Sequence, residues 1–147
     1  MEKVKIIGGG LAGCEAAWTL ANAGITVELY EMKPQRMSPA HHTQQLAELV
    51  CSNSLKAARI DSAAGLLKEE MRRLGSLSME SAATCQVPAG GALAVDRDEF
   101  SGYITEKIKN HPLITVHNEE VTTIDFDEIT VVATGPLTSE DMARTVS

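Results

Sequence analysis

Apolar residues along the first thirty positions follow two rhythms. Val4, Ile6 and Ile7 form a short apolar run that stops at glycines, the pattern of a buried parallel strand. From Leu11 the rhythm changes: Leu11, Ala12, Ala16, Leu20 and Ala21 recur at helical spacing, and Gly24 stands where a C-terminal stop is expected. Residues 25–30 return to a strand-like run that ends at Glu31. Strand, helix and strand in so short a stretch predict a βαβ unit, hence a parallel sheet with a right-handed crossover.

The pattern then breaks. Residues 32–60 hold Pro34, Ser38, Pro39, His41, His42 and the run Cys51-Ser52-Asn53-Ser54, which predicts a long loop with one short helix at 44–49. Loops of that length inside a compact domain are usually functional. A helix follows, with Asp61 or Ser62 as N-cap, Ala63, Leu66, Leu67, Met71 and Leu74 on one face, and Gly75 just past its end. Residues 77–84 read as another amphipathic stretch, and 87–92 as a turn-rich loop leading to Leu93-Ala94-Val95. Asp96 and Glu99 form a capping box for a helix whose buried stripe is Phe100, Ile104 and Ile108, stopped by Asn110-His111-Pro112. Strand-like runs follow at 114–117, 120–124 and 129–133, the last running into Thr134-Gly135-Pro136.

Composition narrows the possibilities. At 147 residues the chain is one domain or a piece of one. Only 3% of it is aromatic against 44% hydrophobic, so the core must be built from Ala, Val, Leu, Ile and Met. Disorder, collagen-like sequence and a disulfide scaffold are excluded. The net charge of −7 arises beyond residue 80 and argues against non-specific polyanion binding by the whole chain. The segment 33–73 is locally basic, with seven Lys/Arg and four Asp/Glu. Three irregularly spaced cysteines without a C-x-x-C pair point to a reducing compartment and no metal site. No apolar run is long enough to span a bilayer, and the chain enters a strand at once, without a signal peptide. A cytoplasmic protein is expected, with no membrane association and no obligate protein partner.

The strongest local chemistry is Gly8-Gly9-Gly10-Leu11-Ala12-Gly13, a G-x-G-x-x-G between a predicted strand and a predicted helix. Gly8 would permit the tight turn, Gly10 the approach of a pyrophosphate to the backbone, and Gly13 close helix–strand packing. The helix N-terminus offers free amides and a positive dipole end to phosphates. Glu31 ends the second strand at the offset where an acid accepts hydrogen bonds from ribose hydroxyls; its plainer reading is a solvated strand-end carboxylate. An acid there disfavours NADP and leaves FAD or NAD. Lys33 and Arg36 either touch phosphate or face water. The strand ending Ala133-Thr134-Gly135 resembles the return to the cofactor in two-dinucleotide-fold flavoproteins and tilts the choice to FAD.

Among the cysteines, Cys14 reads as a packing residue and Cys85 as unremarkable. Cys51 lies in a polar segment near Lys56 and Arg59, where cationic neighbours favour the thiolate, although a structural role is the commoner one. His41 and His42 could serve as acids or bases, though adjacent histidines in a Pro-Ala loop are more often surface residues.

Several blocks resemble the TrmFO family, the folate- and FAD-dependent tRNA (uracil-5-)-methyltransferases. They are Gly-Gly-Gly-Leu-Ala-Gly-Cys-Glu-Ala-Ala-Trp (8–18), Tyr-Glu-Met-Lys-Pro (30–34), Pro-Ala-His-His-Thr (39–43) and Glu-Leu-Val-Cys-Ser-Asn-Ser-Leu (48–55). Leu-Lys-Glu-Glu-Met-Arg (67–72), Val-Pro-Ala-Gly-Gly-Ala-Leu-Ala-Val-Asp-Arg (87–97) and Ala-Thr-Gly-Pro-Leu-Thr-Ser (133–139) belong with them. The related GidA/MnmG wobble-uridine modifiers typically carry Gly-His-Ala-Gly where this chain has Leu11.

The resemblance implies an α/β, Rossmann-like FAD-binding fold of the glutathione-reductase type. It implies transfer of a one-carbon unit from methylenetetrahydrofolate, through reduced FAD, to C5 of the T-loop uridine of tRNA, with NAD(P)H as reductant. Uracil C5 is a poor nucleophile until a thiolate adds at C6. The family links the cysteine of the Val-Cys-Ser-Asn-Ser block, here Cys51, to flavin and RNA chemistry, and places a further nucleophilic cysteine in a later segment that this chain lacks. Gly8, Gly9, Gly10, Leu11, Ala12, Gly13, Glu31, Thr134 and Gly135 are the expected FAD contacts.

Family members are much longer, so residues 1–147 are expected to be the N-terminal part of the FAD-binding domain, without the substrate domain or the C-terminal FAD segment. Alone, the chain is expected to associate, to bind FAD weakly or not at all, and to methylate no tRNA. The rival readings are a GidA/MnmG-like modifier and a non-catalytic dinucleotide-binding module.

Overall fold

A computed structural model describes residues 2–147. The alternating run at the start forms β1 (Lys3–Ile7), which buries Val4 and Ile6 on one face of the sheet. The next helix, α1 (Leu11–Asn22), presses Cys14, Ala17 and Ala21 onto that face, and β2 (Thr26–Glu31) returns parallel to β1. Val4 pairs with Val27 and Ile6 with Leu29, so one continuous apolar face is shared. The predicted βαβ unit is present.

The main sheet is completed by two later strands, β6 (Ile114–Asn118) beside β2 and β7 (Thr130–Val132) beside β1. Its order is β6-β2-β1-β7 and every pairing is parallel. The strands are joined through α4 (Arg97–Asn110), whose Phe100, Ile104 and Ile108 are fully buried, as their spacing predicts. Asp96 caps α4 by accepting from the Glu99 amide; the Asp96 amide itself donates to Cys85 O, so the box is made on one side only. Short α3 (Leu77–Thr84) packs between α1 and α4 and buries Leu77 and Ala82.

Two expectations are corrected. Residues 44–49 form no helix. Their backbone groups bond to neighbouring elements: the Ala47 amide to Gly9 O, the Leu46 amide to Thr105 Oγ1, and Ala47 O to the Ser101 hydroxyl. Leu46 and Ala47 are thereby core residues, and Ala47 takes a left-handed backbone angle (φ 52°) that a helix would not allow.

Residues 120–124 form no strand, because Glu120 and Val121 turn towards the interior of a cavity, and the Thr122 carbonyl accepts from the Thr145 hydroxyl instead of a ladder. The apolar face of α2 (Ala63–Arg73) is not covered either. Gly65 packs on the Arg59 carbonyl and Lys68 Nζ donates to Ala57 O, so α2 meets the chain through its small and basic positions. Leu66, Leu67 and Leu74 are left exposed, Leu74 by 86%.

The long loop also holds a strand that the pattern does not announce. In a small antiparallel sheet, β3 (Ser54–Ala57) pairs with β5 (Ala92–Val95), which in turn pairs with β4 (Gln86–Val87). These strands are two to four residues long, and β3 is irregular at Lys56, which has φ 67°. Among the described residues, no helix is long and apolar enough to cross a membrane.

Candidate dinucleotide-binding site

The C-terminal ends of β1, β2 and β7 open onto a cavity of about 310 Å³. In parallel sheets, that edge is where ligands bind. The glycine loop between β1 and α1 forms its floor. Gly8 has φ 110°, and a Cβ on it would lie 2.4 Å from the Ala133 carbonyl oxygen, so only glycine lets the loop pass the end of β7. A Cβ on Gly13 would lie 1.8 Å from Gly8 O; the helix is seated against the loop at that point.

Gly10 is different. It is the N-cap of α1 in ordinary extended backbone (φ −77°), and a Cβ there would meet nothing within 4 Å. Gly10 is also one of residues 8–12, which line the cavity wall. No side chain caps α1 and its first turn has no acidic residue, so its leading amides and dipole are available to an anion.

Glu31, at the end of β2, is buried and anchored by two amides. Gly9 N–H donates to Oε2 at 2.9 Å and Lys33 N–H to Oε1 at 3.0 Å. It lines the cavity and is not a solvated strand-end group. Each carboxylate oxygen keeps a second lone pair for a ligand hydroxyl. At the other side, Thr134 and Gly135 line the wall where β7 turns into the 3₁₀ turn Gly135–Leu137, with the Thr138 hydroxyl donating to Gly135 O and lying 2.6 Å from Thr134 Oγ1. Beyond it, α5 (Glu140–Val146) places buried Met142 on the same wall.

Neither Lys33 nor Arg36 is free for phosphate. Lys33 is only 2% exposed; its ammonium lies 3.1 Å from Glu48 Oε2 and donates to Gln45 O at 2.6 Å. Burial alone pushes the Glu48 carboxyl up, but hydrogen bonds from the His42 amide and the Lys33 ammonium hold it below the usual carboxylate range. Arg36 Nη1 reaches Glu120 at 2.8 Å and Asp141 at 3.3 Å, joining the chain after β2, the chain after β6 and α5.

The structure thus brings Gly8, Gly9, Gly10, Leu11, Ala12, Glu31, Thr134 and Gly135 to one cavity, with Gly13 behind the floor. Cys51 is not on that wall. It is exposed, one residue past the lining residue Val50, and its carbonyl accepts from Arg97 Nη2 at 3.4 Å. Cys14 and Cys85 are buried, and burial pushes the Cys14 thiol up to about 12. Sequence reasoning missed Glu48, Glu119, Glu120 and Met142 as lining residues. Their only signal is tertiary, since they come from three separate segments, at 48, 119–120 and 142.

These features define a Rossmann-like α/β domain of the FAD-binding type. Its fold is similar to that of GidA from Aquifex aeolicus (TM-score 0.66, 18% identity, 84% of this chain and 20% of that one). It is also similar to a tetrameric 2-methyl-3-hydroxypyridine-5-carboxylic acid oxygenase (TM-score 0.53, 15% identity, 85% of this chain and 33% of that one).

The family model described as glucose inhibited division protein A matches residues 3–145, and the chain belongs to that family. Within it, the chain is 62% identical over 146 residues to the methylenetetrahydrofolate–tRNA-(uracil-5-)-methyltransferase TrmFO of Desulfitobacterium hafniense, covering 99% of this chain and 33% of that protein. It is 62% identical over 147 residues to the TrmFO of Listeria welshimeri, with 99% and 34% covered. The chain spans about a third of the length of these curated relatives.

Proposed function

We propose that residues 1–147 are the N-terminal dinucleotide-binding part of an FAD- and folate-dependent tRNA (uracil-5-)-methyltransferase. The observation that carries the reading is the cavity in which an uncapped helix start, an open Gly10 and the doubly anchored Glu31 face one space. The names and 62% identity of the TrmFO relatives support the activity.

In this reading the α1 amides and Gly10 hold the diphosphate of FAD, and Glu31 accepts from ribose hydroxyls. A fixed carboxylate at that position repels a 2′-phosphate, so FAD is taken in preference to NADP. Thr134 and Gly135 close the cavity at the end of β7. The bound flavin, reduced by NAD(P)H, supplies the electrons that turn a methylene unit from methylenetetrahydrofolate into a methyl group on C5 of the T-loop uridine. Cys51, exposed and next in sequence to the lining residue Val50, offers a thiol to the flavin or the RNA.

The test is a chimera. Residues 2–147 replace the corresponding third of the Desulfitobacterium hafniense relative, and the product is assayed with FAD, NADH, methylenetetrahydrofolate and a tRNA transcript. Methylation at the T-loop uridine is expected. A folded, FAD-loaded chimera that modifies only a wobble uridine would favour the GidA-like reading. One that binds FAD and modifies nothing would favour a non-catalytic module.

A further inference from the structure

The diphosphate of a dinucleotide is anionic, yet the cavity wall carries four carboxylates, Glu31, Glu48, Glu119 and Glu120. Among the described residues, no lysine or arginine lies on that wall. The basic residues that follow β2 are already committed, Lys33 to Glu48 and Arg36 to Glu120 and Asp141. One basic side chain remains on the wall, that of half-buried His41.

His41 is held by its own turn. Its amide donates to Ser38 O at 3.2 Å, and its Nδ1 lies 2.6 Å from Ser38 Oγ, which also accepts the Ala40 amide at 3.3 Å. The Ser38 contact at Nδ1 fixes the ring's orientation. With Ser38 donating to Nδ1, the ring hydrogen sits on Nε2 and is available as a donor. The adjacent His42 is exposed, lies off the wall, and contributes only its amide, to Glu48.

We propose that His41 binds the diphosphate of the dinucleotide, donating from Nε2 to a phosphate oxygen and completing the anion site begun by the α1 amides. The proposal rests on the dinucleotide reading above. It eases the approach of an anion to this wall: Lys33 and Arg36 pair with Glu48 and Glu120, Glu31 accepts from two amides, Glu119 is exposed to water, and His41 serves the ligand.

The test is FAD titration by flavin fluorescence on the chimera described above and on its His41→Ala, His41→Gln and His42→Ala variants. Thermal melts verify that each is folded. His41→Ala is expected to weaken FAD about tenfold, in line with loss of one hydrogen bond to a charged group. His41→Gln, which keeps a neutral donor, should fall between, and His42→Ala should match wild type. Wild-type affinity in folded His41→Ala would overturn the assignment of His41 alone. A folded parent chimera that takes up no FAD at any concentration would overturn the dinucleotide reading, and this proposal with it.

Discussion

The Gly9 amide and the Glu31 carboxylate, 22 residues apart in sequence, meet at 2.9 Å, so the acid that would read the ribose also holds the glycine loop in place. Its second oxygen does the same for Lys33. Replacing Glu31 by Gln therefore sets an amide NH₂ against one of two amide donors. We expect Glu31→Gln and Glu31→Ala each to lower stability by about 1–3 kcal/mol and to weaken FAD as well. Denaturant melts paired with FAD titration check this; a variant that loses affinity at unchanged stability would make Glu31 a ligand group only.

Gly10 and Gly13 should separate binding from folding. Gly10→Val places its side chain in open space at an ordinary φ, so the chain should fold and lose FAD. The loss comes from occupied ligand space, not from backbone strain. Gly13→Ala puts a methyl 1.8 Å from a carbonyl oxygen and should instead lower the melting temperature. Equal FAD affinity in Gly10→Val and wild type would remove the loop from the site.

The three thiols should react unequally. Cys51 is exposed, whereas burial, the leading cause, raises Cys14 to about 12 and also raises Cys85. Alkylation of the native protein at pH 8 should modify Cys51 first, as read by peptide mass spectrometry. The sign for Cys14 follows from its raised folded value. Its contribution to stability is complete below about pH 9 and is lost as pH climbs towards 12, because the unfolded thiol ionises first. Cys14→Ala should flatten stability over that window.

Cys51→Ala, placed in the chimera, should leave FAD bound and cut methylation. Its exposure means that packing demands little of it. Undiminished turnover would return Cys51 to a passive surface position.

On α2, Leu67→Gln and Leu74→Gln should change stability by no more than about 0.5 kcal/mol, as expected for exposed positions. A loss of several kcal/mol, measured by urea denaturation, would mean that this face is covered in solution.

The α2 leucines also mark where reading the sequence stops. Periodicity correctly gave the α4 stripe of Phe100, Ile104 and Ile108 and gave α2 an equally regular one, yet only the first has a sheet and α3 to cover it. A pattern reports that a face exists, not that another element meets it. The floor of the site was legible because each glycine answers a local steric demand. Its upper wall was not, since Glu48, Glu119 and Met142 come together only through the tertiary path. Residues 44–49 misled for a related reason: their apolar spacing suits a helix, but Gly9, Ser101 and Thr105 claim the backbone groups a helix would use.

That same segment behaves, for protein engineering, as part of the interior despite having no regular structure. Connections between a strand and the next element ordinarily accept extra residues at little cost. Here a peptide tag spliced between Leu46 and Ala47 would break the seam to Gly9 and α4, and one placed at Pro39, although exposed, would open the turn by which Ser38 holds His41. The stretch after β2 is thus length-restricted at both places, by different partners.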